Sequence, residues 1–347
     1  MGIKLITFTG EHASGGVPRW VRDFKSGIEA ESFCWEDVAG IVGDGPIPEW
    51  ERAKILNQWL RVTRRVTEDD IIIVDGFWGI GLEELPNVVS CCHGIWSHLI
   101  KEEADASKAP DFPIHHAQQV EYRRKHLERG GRLVAVSQFI QHQMEIQWGF
   151  ASYVINNAID LEKFKPMRAD HGYKRPLIIH GVNDRNNLVK GWPHIHNLIG
   201  KVDAEIWSLD EAHKRMWIEP EKYDKYNDTL AAADYALIPS AYEGNSYFAL
   251  ECLACDVPVI AYDVGLFYEI AKRPEGLMSN AGCLLSRKLR SKEETLAGVK
   301  LALRKSLLND TTYWEHVSPR GVAKDYSLQN FHQQWRDYLK REFDYDP

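Results

Sequence analysis

The sequence predicts an α/β protein built of two doubly wound domains that face a cleft, and three observations predict it. Short apolar, β-branched runs alternate with amphipathic stretches as far as Asn157. That alternation is the mark of βαβ units around a parallel sheet buried on both faces. A polar, aperiodic stretch with two prolines, LEKFKPMRADHGYKRP at 161–176, then breaks the pattern and reads as a linker. A second series of the same kind follows it. The length agrees: 347 residues exceed one ordinary core and suit two domains of roughly 150–180 residues. The boundaries read as 1–165 for the first domain and 166–325 for the second, with 326–347 a C-terminal helix that packs back on the first.

In the first series IKLITFTG, DIIIVDG, NVVSCCHG, RLVAVS and SYVINN read as buried strands. Between them, Val17, Trp20, Val21, Phe24 and Ile28 keep the i, i+3, i+4 spacing of an amphipathic helix. PEWERAKILNQWLRV and SQFIQHQMEIQW read as helices too. In the second series PLIIHGV, AEIWSL, DYALIPS, VPVIAY and CLLS are the strands. The tail from Lys292 is helical, and Phe331, Trp335 and Leu339 form one stripe of the last helix.

Composition excludes several classes. Hydrophobic content of 44% and charged content of 27% are globular values. No apolar run approaches the ~18 residues that span a bilayer, so stable membrane insertion is not expected. MGIKLITFTG reads as the first strand and lacks a basic n-region and an A-x-A site, which points to a cytoplasmic protein. Ile3 opens that strand directly after Gly2, which leaves little room for an acylation signal. The net charge is −8, with one short basic cluster, YRRKH at Tyr122–His126. An acidic chain of this kind does not advertise a nucleic-acid binder, although the cluster suits phosphate contact as well as a solvated helix face. The six cysteines (Cys34, Cys91, Cys92, Cys252, Cys255, Cys283) read as reduced core residues. CLAC at 252–255 has zinc-like spacing but no second ligand pair, so it reads as helix packing.

Parallel sheets hold ligands beyond the carboxyl ends of their strands, which directs attention to the loops that follow them. After DYALIPS comes EGNSYFALE, Glu243 to Glu251, and then the next strand, VPVIAY. A helix beginning near Asn245 or Ser246 leaves first-turn N–H groups at the strand end, a place that attracts phosphate or carboxylate. Two glutamates on one such helix would lie about 12 Å apart along its axis. The carboxylate pairs of sugar hydrolysis need roughly 5–9.5 Å. Gly244 lets the chain turn before the helix, so two contacts to different parts of one elongated ligand fit better than a proton-sharing pair.

Ser240-Ala-Tyr-Glu243-Gly244-Asn245-Ser246-Tyr247-Phe-Ala-Leu-Glu251, followed by Val257-Pro258-Val259-Ile260, resembles the E-x7-E signature of retaining GT-B glycosyltransferases. The likeness is to the large family that includes sucrose and trehalose-phosphate-type synthases and bacterial mannosyl- and glucosyltransferases. Tyr153–Pro166, with Asn156, Asp160, Phe164 and Pro166, is similar to the stretch that ends the family's N-terminal domain. Gly15-Gly16 is similar to its Gly-Gly loop near donor phosphate and acceptor; a plain tight turn would use the same pair. His93, after NVVSCC, resembles a family histidine that touches the donor sugar, though a histidine there is also an ordinary structural residue. Lys190-Gly191 matches the family's diphosphate-binding K-G. The arginine that usually precedes it is replaced by Val182, with Arg185 three residues on.

The resemblance implies two Rossmann-like domains and transfer of a hexose from a nucleotide-diphosphate sugar, a UDP-sugar of the UDP-glucose type or GDP-mannose, to a hydroxyl acceptor. It implies retention of configuration and no metal or other cofactor; the D-x-D at 344–346 lies in the tail rather than after a strand. Glu243 and His93 would serve the donor sugar, Glu251 the ribose, and Gly15, Gly16, Arg185, Lys190, Asn245, Ser246 and Tyr247 the rest of the donor. A nucleotide-sugar-binding protein without turnover is the other class, favoured by the altered Gly-Arg motif. A phosphorylase would need a lysine for pyridoxal phosphate, and none is identifiable. The acceptor stays open among saccharide, lipid-linked sugar, small aglycone and modified nucleic-acid base. Trp78 and Trp96, each after a strand, suit an acceptor floor or core packing alike.

Overall fold

A computed structural model describes residues 2–42, 46–94, 112–166, 174–182, 188–209, 211–212, 225–272, 282–285, 291–307 and 318–347. They form two compact units. One draws on Met1–Ser97, Pro110–Asn157 and Gln329–Pro347, the other on Ala158–Leu328.

The first unit holds a six-stranded sheet in the order β2-β1-β3-β4-β5-β6. The strands are β1 Ile3–Thr7, β2 Glu31–Cys34, β3 Ile71–Asp75, β4 Val88–Cys92, β5 Arg132–Ala135 and β6 Tyr153–Val154, and every pairing is parallel. Central strands read as continuous apolar runs because both faces are covered: Leu5, Ile6, Ile72, Val74, Val89 and Cys91 are fully buried. The sequence strands are all present. β2 is additional, a short edge strand whose ESFC carries too little apolar character to show a period.

Two helices meet in an aromatic nest. Helix Gly16–Lys25 buries Trp20 and Phe24, and helix Leu328–Phe343 buries Phe331, Trp335, Tyr338 and Leu339. Trp335 sits 6.0 Å from Trp20 and 5.2 Å from Phe24 between ring centroids, edge-on to each, the geometry that aromatic quadrupoles favour. Polar ties fix both ends of the last helix. His332 Nε2 meets the Asp23 carbonyl at 2.7 Å, Arg336 donates to the Gly27 carbonyl, and Arg132 pairs with Glu342 at 3.0 Å. Gly27 is glycine for want of space: a Cβ there would lie 2.3 Å from the His332 ring.

The second unit holds a five-stranded parallel sheet in the order β11-β10-β9-β7-β8. Its strands are β7 Leu177–His180, β8 Glu205–Ser208, β9 Tyr235–Ile238, β10 Val259–Tyr262 and β11 Gly282–Leu285. The stretch read as a linker from 161 is not one over its described part. Phe164 is buried in this unit's core, and Ile159 exchanges backbone hydrogen bonds with Tyr326 and Leu328. The Arg320 guanidinium donates to the carbonyls of Leu161, Phe164 and Ala254. Those ties place the passage between units at Asn157/Ala158 instead of 165, and the return at Leu328/Gln329 instead of 325.

No helix among the described residues is long and apolar enough to cross a membrane.

Candidate functional site

In an open parallel sheet the crevice lies where strand order reverses, beyond the carboxyl ends. In the second unit that point falls between β7 and β9. Three loops converge there. After β7 the chain runs through Gly181 and Val182 to the 3-10 turn Leu188–Lys190 and Gly191. After β9 it runs Pro239 to Ser246, and after β10 it runs Asp263 to Gly265. The Ala241 N–H donates to the Val189 carbonyl at 2.8 Å, joining the first two loops.

Glycines set how closely the loops approach. Gly191 has φ +79°, and a Cβ on it would stand 2.2 Å from the Pro239 carbonyl oxygen. Gly265 has φ +56°, and its Cβ would stand 3.0 Å from both Glu243 Cβ and the Gly244 oxygen. Left-handed backbone costs an L-residue roughly 1–2 kcal/mol, which glycine avoids. Gly191→Ala is therefore expected to lower the unfolding free energy by about 2 kcal/mol, read by chemical denaturation. An unchanged midpoint would show that the loop relaxes freely around Pro239.

The loop residues bring charge to this crevice. Lys190 Nζ and Glu243 Oε1 form an ion pair at 2.7 Å; Glu243 is largely shielded at 11% exposure, Lys190 less so at 43%. The helix Tyr247–Ala254 starts where EGNSYFALE predicts, with Ser246 as its N-cap: the Ser246 hydroxyl accepts from the Ala249 N–H at 3.3 Å. Asn245 is buried just before the cap, and Tyr247 opens the first turn. Glu251, one turn deeper, is 4% exposed and accepts from the Tyr226 phenol at 2.6 Å. Glu243 lies before the helix and Glu251 within it, so the two carboxylates occupy separate stations. Phe248 closes the floor beside Gly181, where a Cβ would be 3.1 Å from its ring. Arg185 lies outside the described residues. Val182, where the sequence resemblance leads to an expectation of arginine, is buried.

In the first unit the strand order reverses between β1 and β3. Gly15, with φ +122°, caps the helix that Gly16 opens. The loop before it is held by Arg22, which donates to the Glu11 carbonyl, and by Lys25, paired with Glu11 at 2.6 Å. His93 follows β4, its ring edge-on to Trp20 at 5.0 Å. Its Nε2 is buried and makes no hydrogen bond among the described residues, and burial pushes its pKa down to about 4, so the ring is neutral near pH 7.

Two sequence expectations change here. Trp78 cannot floor an acceptor site, because it is buried: Asn57 donates to its carbonyl at 2.7 Å and its own Nε1 reaches Glu49 at 3.3 Å. An exposed ring beside it is Phe8, which follows the neighbouring strand β1 and lies 5.4 Å from Trp78. Trp96 lies outside the described residues. YRRKH is no free basic patch either. Tyr122, Arg123 and His126 are buried, and Arg124 and Lys125 are paired with Glu121 and Glu128. Sequence reasoning passed over Asp75, the last residue of β3. Burial and the nearby Glu49 carboxylate raise its pKa to about 7, against a smaller opposing pull from Arg123.

Comparison with solved structures gives close matches over nearly the whole chain. Sucrose-phosphate synthase from Thermosynechococcus elongatus superposes with a TM-score of 0.73 at 15% identity, covering 99% of each chain. HepE from Anabaena, solved with UDP and glucose, matches at 0.65 and 14% identity, over 98% of this chain and 100% of that one. WaaG, a glycosyltransferase involved in lipopolysaccharide biosynthesis, matches at 0.67 and 13% identity, over 97% and 99%. These are GT-B structures, and the chain has the GT-B fold. No protein-family model and no curated protein sequence matches it.

Proposed function

We propose that the protein is a glycosyltransferase that moves a hexose from a nucleotide-diphosphate sugar, of the UDP-glucose type, to a hydroxyl acceptor, with retention and without a metal. One observation carries this reading: Lys190, Glu243, the Ser246-capped helix start and Glu251 converge at the switch point of the second sheet. In that arrangement Glu251 takes the ribose hydroxyls, the first-turn amides and Lys190 take the diphosphate, and Glu243 takes the sugar. His93 and the Gly15-Gly16 loop stand at strand ends of the first unit, and a donor role for them is what the family resemblance alone implies. The HepE crystals hold UDP and UDP-glucose, which supports a uridine donor; GDP-mannose is the competing one.

The chemistry follows from charge. The bond from the anomeric carbon to the phosphate oxygen breaks and a bond to the acceptor oxygen forms on the same face, and the acceptor's proton passes to the leaving phosphate. Positive charge builds on the sugar and negative charge on the diphosphate. Lys190 and helix-start N–H groups meet the latter, the role a metal plays elsewhere. Saccharide, lipid-linked sugar and small aglycone are the acceptor classes that this reading takes. The modified-base alternative loses its main support, since Arg124 and Lys125 are neutralised by their own helix. Binding without turnover keeps one feature in its favour, the apolar Val182 at the family's arginine position.

A thermal-shift panel of UDP, GDP, ADP and their sugars, followed by nucleoside diphosphate release with each binding donor, tests the proposal. We expect UDP and UDP-glucose to raise Tm most. A panel in which no nucleotide raises Tm would sink the donor site, and tight donor binding with no release would leave the binding-protein reading standing in its place.

A further inference from the structure

Glu251 is a nearly buried carboxylate in the middle of a helix, and such a group needs hydrogen-bond donors. One of them is Tyr226, whose phenol donates to Glu251 Oε2 at 2.6 Å. Tyr226 is 39% exposed, unusual for a side chain whose tip is committed to a buried acid. Its ring and the residue next to it are both held. Phe164 lies edge-on to its ring at 6.2 Å. Its neighbour Asn227 is buried and accepts from the Lys165 N–H at 3.1 Å and from Cys255 Sγ at 3.2 Å. Cys255 is the C-cap of the very helix that carries Glu251. The short helix Lys225–Ala231 is thereby clamped to the helix Tyr247–Ala254, and Tyr226 is aimed at its carboxylate.

We propose that Tyr226 is the positioning residue for the ribose-binding carboxylate, and that the Tyr226–Glu251 pair makes the donor site select ribonucleotides over 2′-deoxyribonucleotides. This rests on the donor reading above and deepens it. A glutamate carboxyl turns broadly about its last torsion. A hydrogen bond to one oxygen fixes its plane and leaves the remaining acceptor directions pointing one way. The adjacent 2′- and 3′-hydroxyls of a ribose supply two donors at that spacing. A 2′-deoxyribose supplies one and leaves a desolvated carboxylate acceptor unmet, the kind of deficit that gives strong discrimination. Without the phenol that restraint on the carboxyl plane is lost, and the discrimination falls.

Isothermal titration of the intact protein with UDP and 2′-deoxy-UDP, and with GDP and 2′-deoxy-GDP as a second pair, reads this directly. Wild type is expected to favour the ribonucleotide by about 100-fold, a hydrogen bond to a charged group. Tyr226→Phe should reduce the ratio to about tenfold, chiefly through weaker ribonucleotide binding. Glu251→Gln should lower the ratio as well, and adding Tyr226→Phe to it should change the ratio no further, because the tyrosine acts through the glutamate. An unchanged ratio in Tyr226→Phe, with both ligands weakened equally, would reduce Tyr226 to a structural residue and overturn the inference. So would an equal effect of Tyr226→Phe in the Glu251→Gln background. Wild-type protein that binds none of the four nucleotides would overturn the donor reading itself, and the inference with it.

Discussion

Glu243→Ala is expected to lose sugar transfer by roughly 10²–10³-fold, as when a group that meets transition-state charge or positions the sugar is removed, while binding UDP at least as tightly as wild type. The second half is the informative one. Glu243 and Lys190 form an ion pair at 2.7 Å. A diphosphate that recruits Lys190 must compete with that pair. Because Lys190 is substantially exposed, the pair is worth only about 0–1 kcal/mol, so removing Glu243 should tighten UDP by up to about fivefold. Lys190→Ala should do the reverse and weaken UDP, leaving Glu243 on the sugar with no partner. Titration of both variants with UDP, beside UDP release from UDP-glucose, gives four numbers with opposed signs. A tenfold weaker UDP affinity in Glu243→Ala, at unchanged Tm, would place Glu243 on the nucleotide and end the division of labour between the two glutamates.

Much of this was legible in the sequence because of how parallel sheets are buried. Strands covered on both faces are written as runs such as DIIIVD and VPVIAY, and the loops after them are where EGNSYFALE and Lys190-Gly191 stand. What the sequence hid falls into two kinds. Edge elements carry little apolar signal, hence the unpredicted β2, which among the described residues pairs only with β1. Pairings made by tertiary approach carry none: Lys190 and Glu243 are 53 residues apart and Tyr226 and Glu251 are 25 apart. Exposure was hidden for the same reason. Trp78 follows a strand as an acceptor platform would, yet helix Glu49–Val62 covers it through Asn57 and Glu49. In YRRKH the helical period turns Tyr122, Arg123 and His126 inward and leaves Arg124 and Lys125 to pair on the surface.

Asp75→Asn is expected to stabilise the protein above pH 7 and to leave it little changed near pH 4. Asp75 ends β3 at the switch point of the first sheet, with burial raising its pKa to about 7, Glu49 adding to the rise and Arg123 opposing it. The ordinary aspartate value is about 3.9. A raised folded-state pKa means that the folded protein holds this proton more tightly than the unfolded chain does. Between about pH 4 and pH 7 the unfolded chain has released the proton while the folded protein keeps it, so stability falls as pH rises and levels off above pH 7. At about 1.36 kcal/mol per unit the full loss is at most about 4 kcal/mol, and water reaching the strand end reduces it to about 2–4 kcal/mol. The amide has no charge to desolvate, so its denaturation midpoint should stay level where the wild-type midpoint declines. Urea melts of both proteins at pH 4.5, 6 and 8 distinguish the outcomes. Parallel stability profiles would mean that Arg123, buried on the neighbouring helix with Gln119 and Cys92 as its partners, compensates the Asp75 carboxylate more fully than burial and Glu49 oppose it.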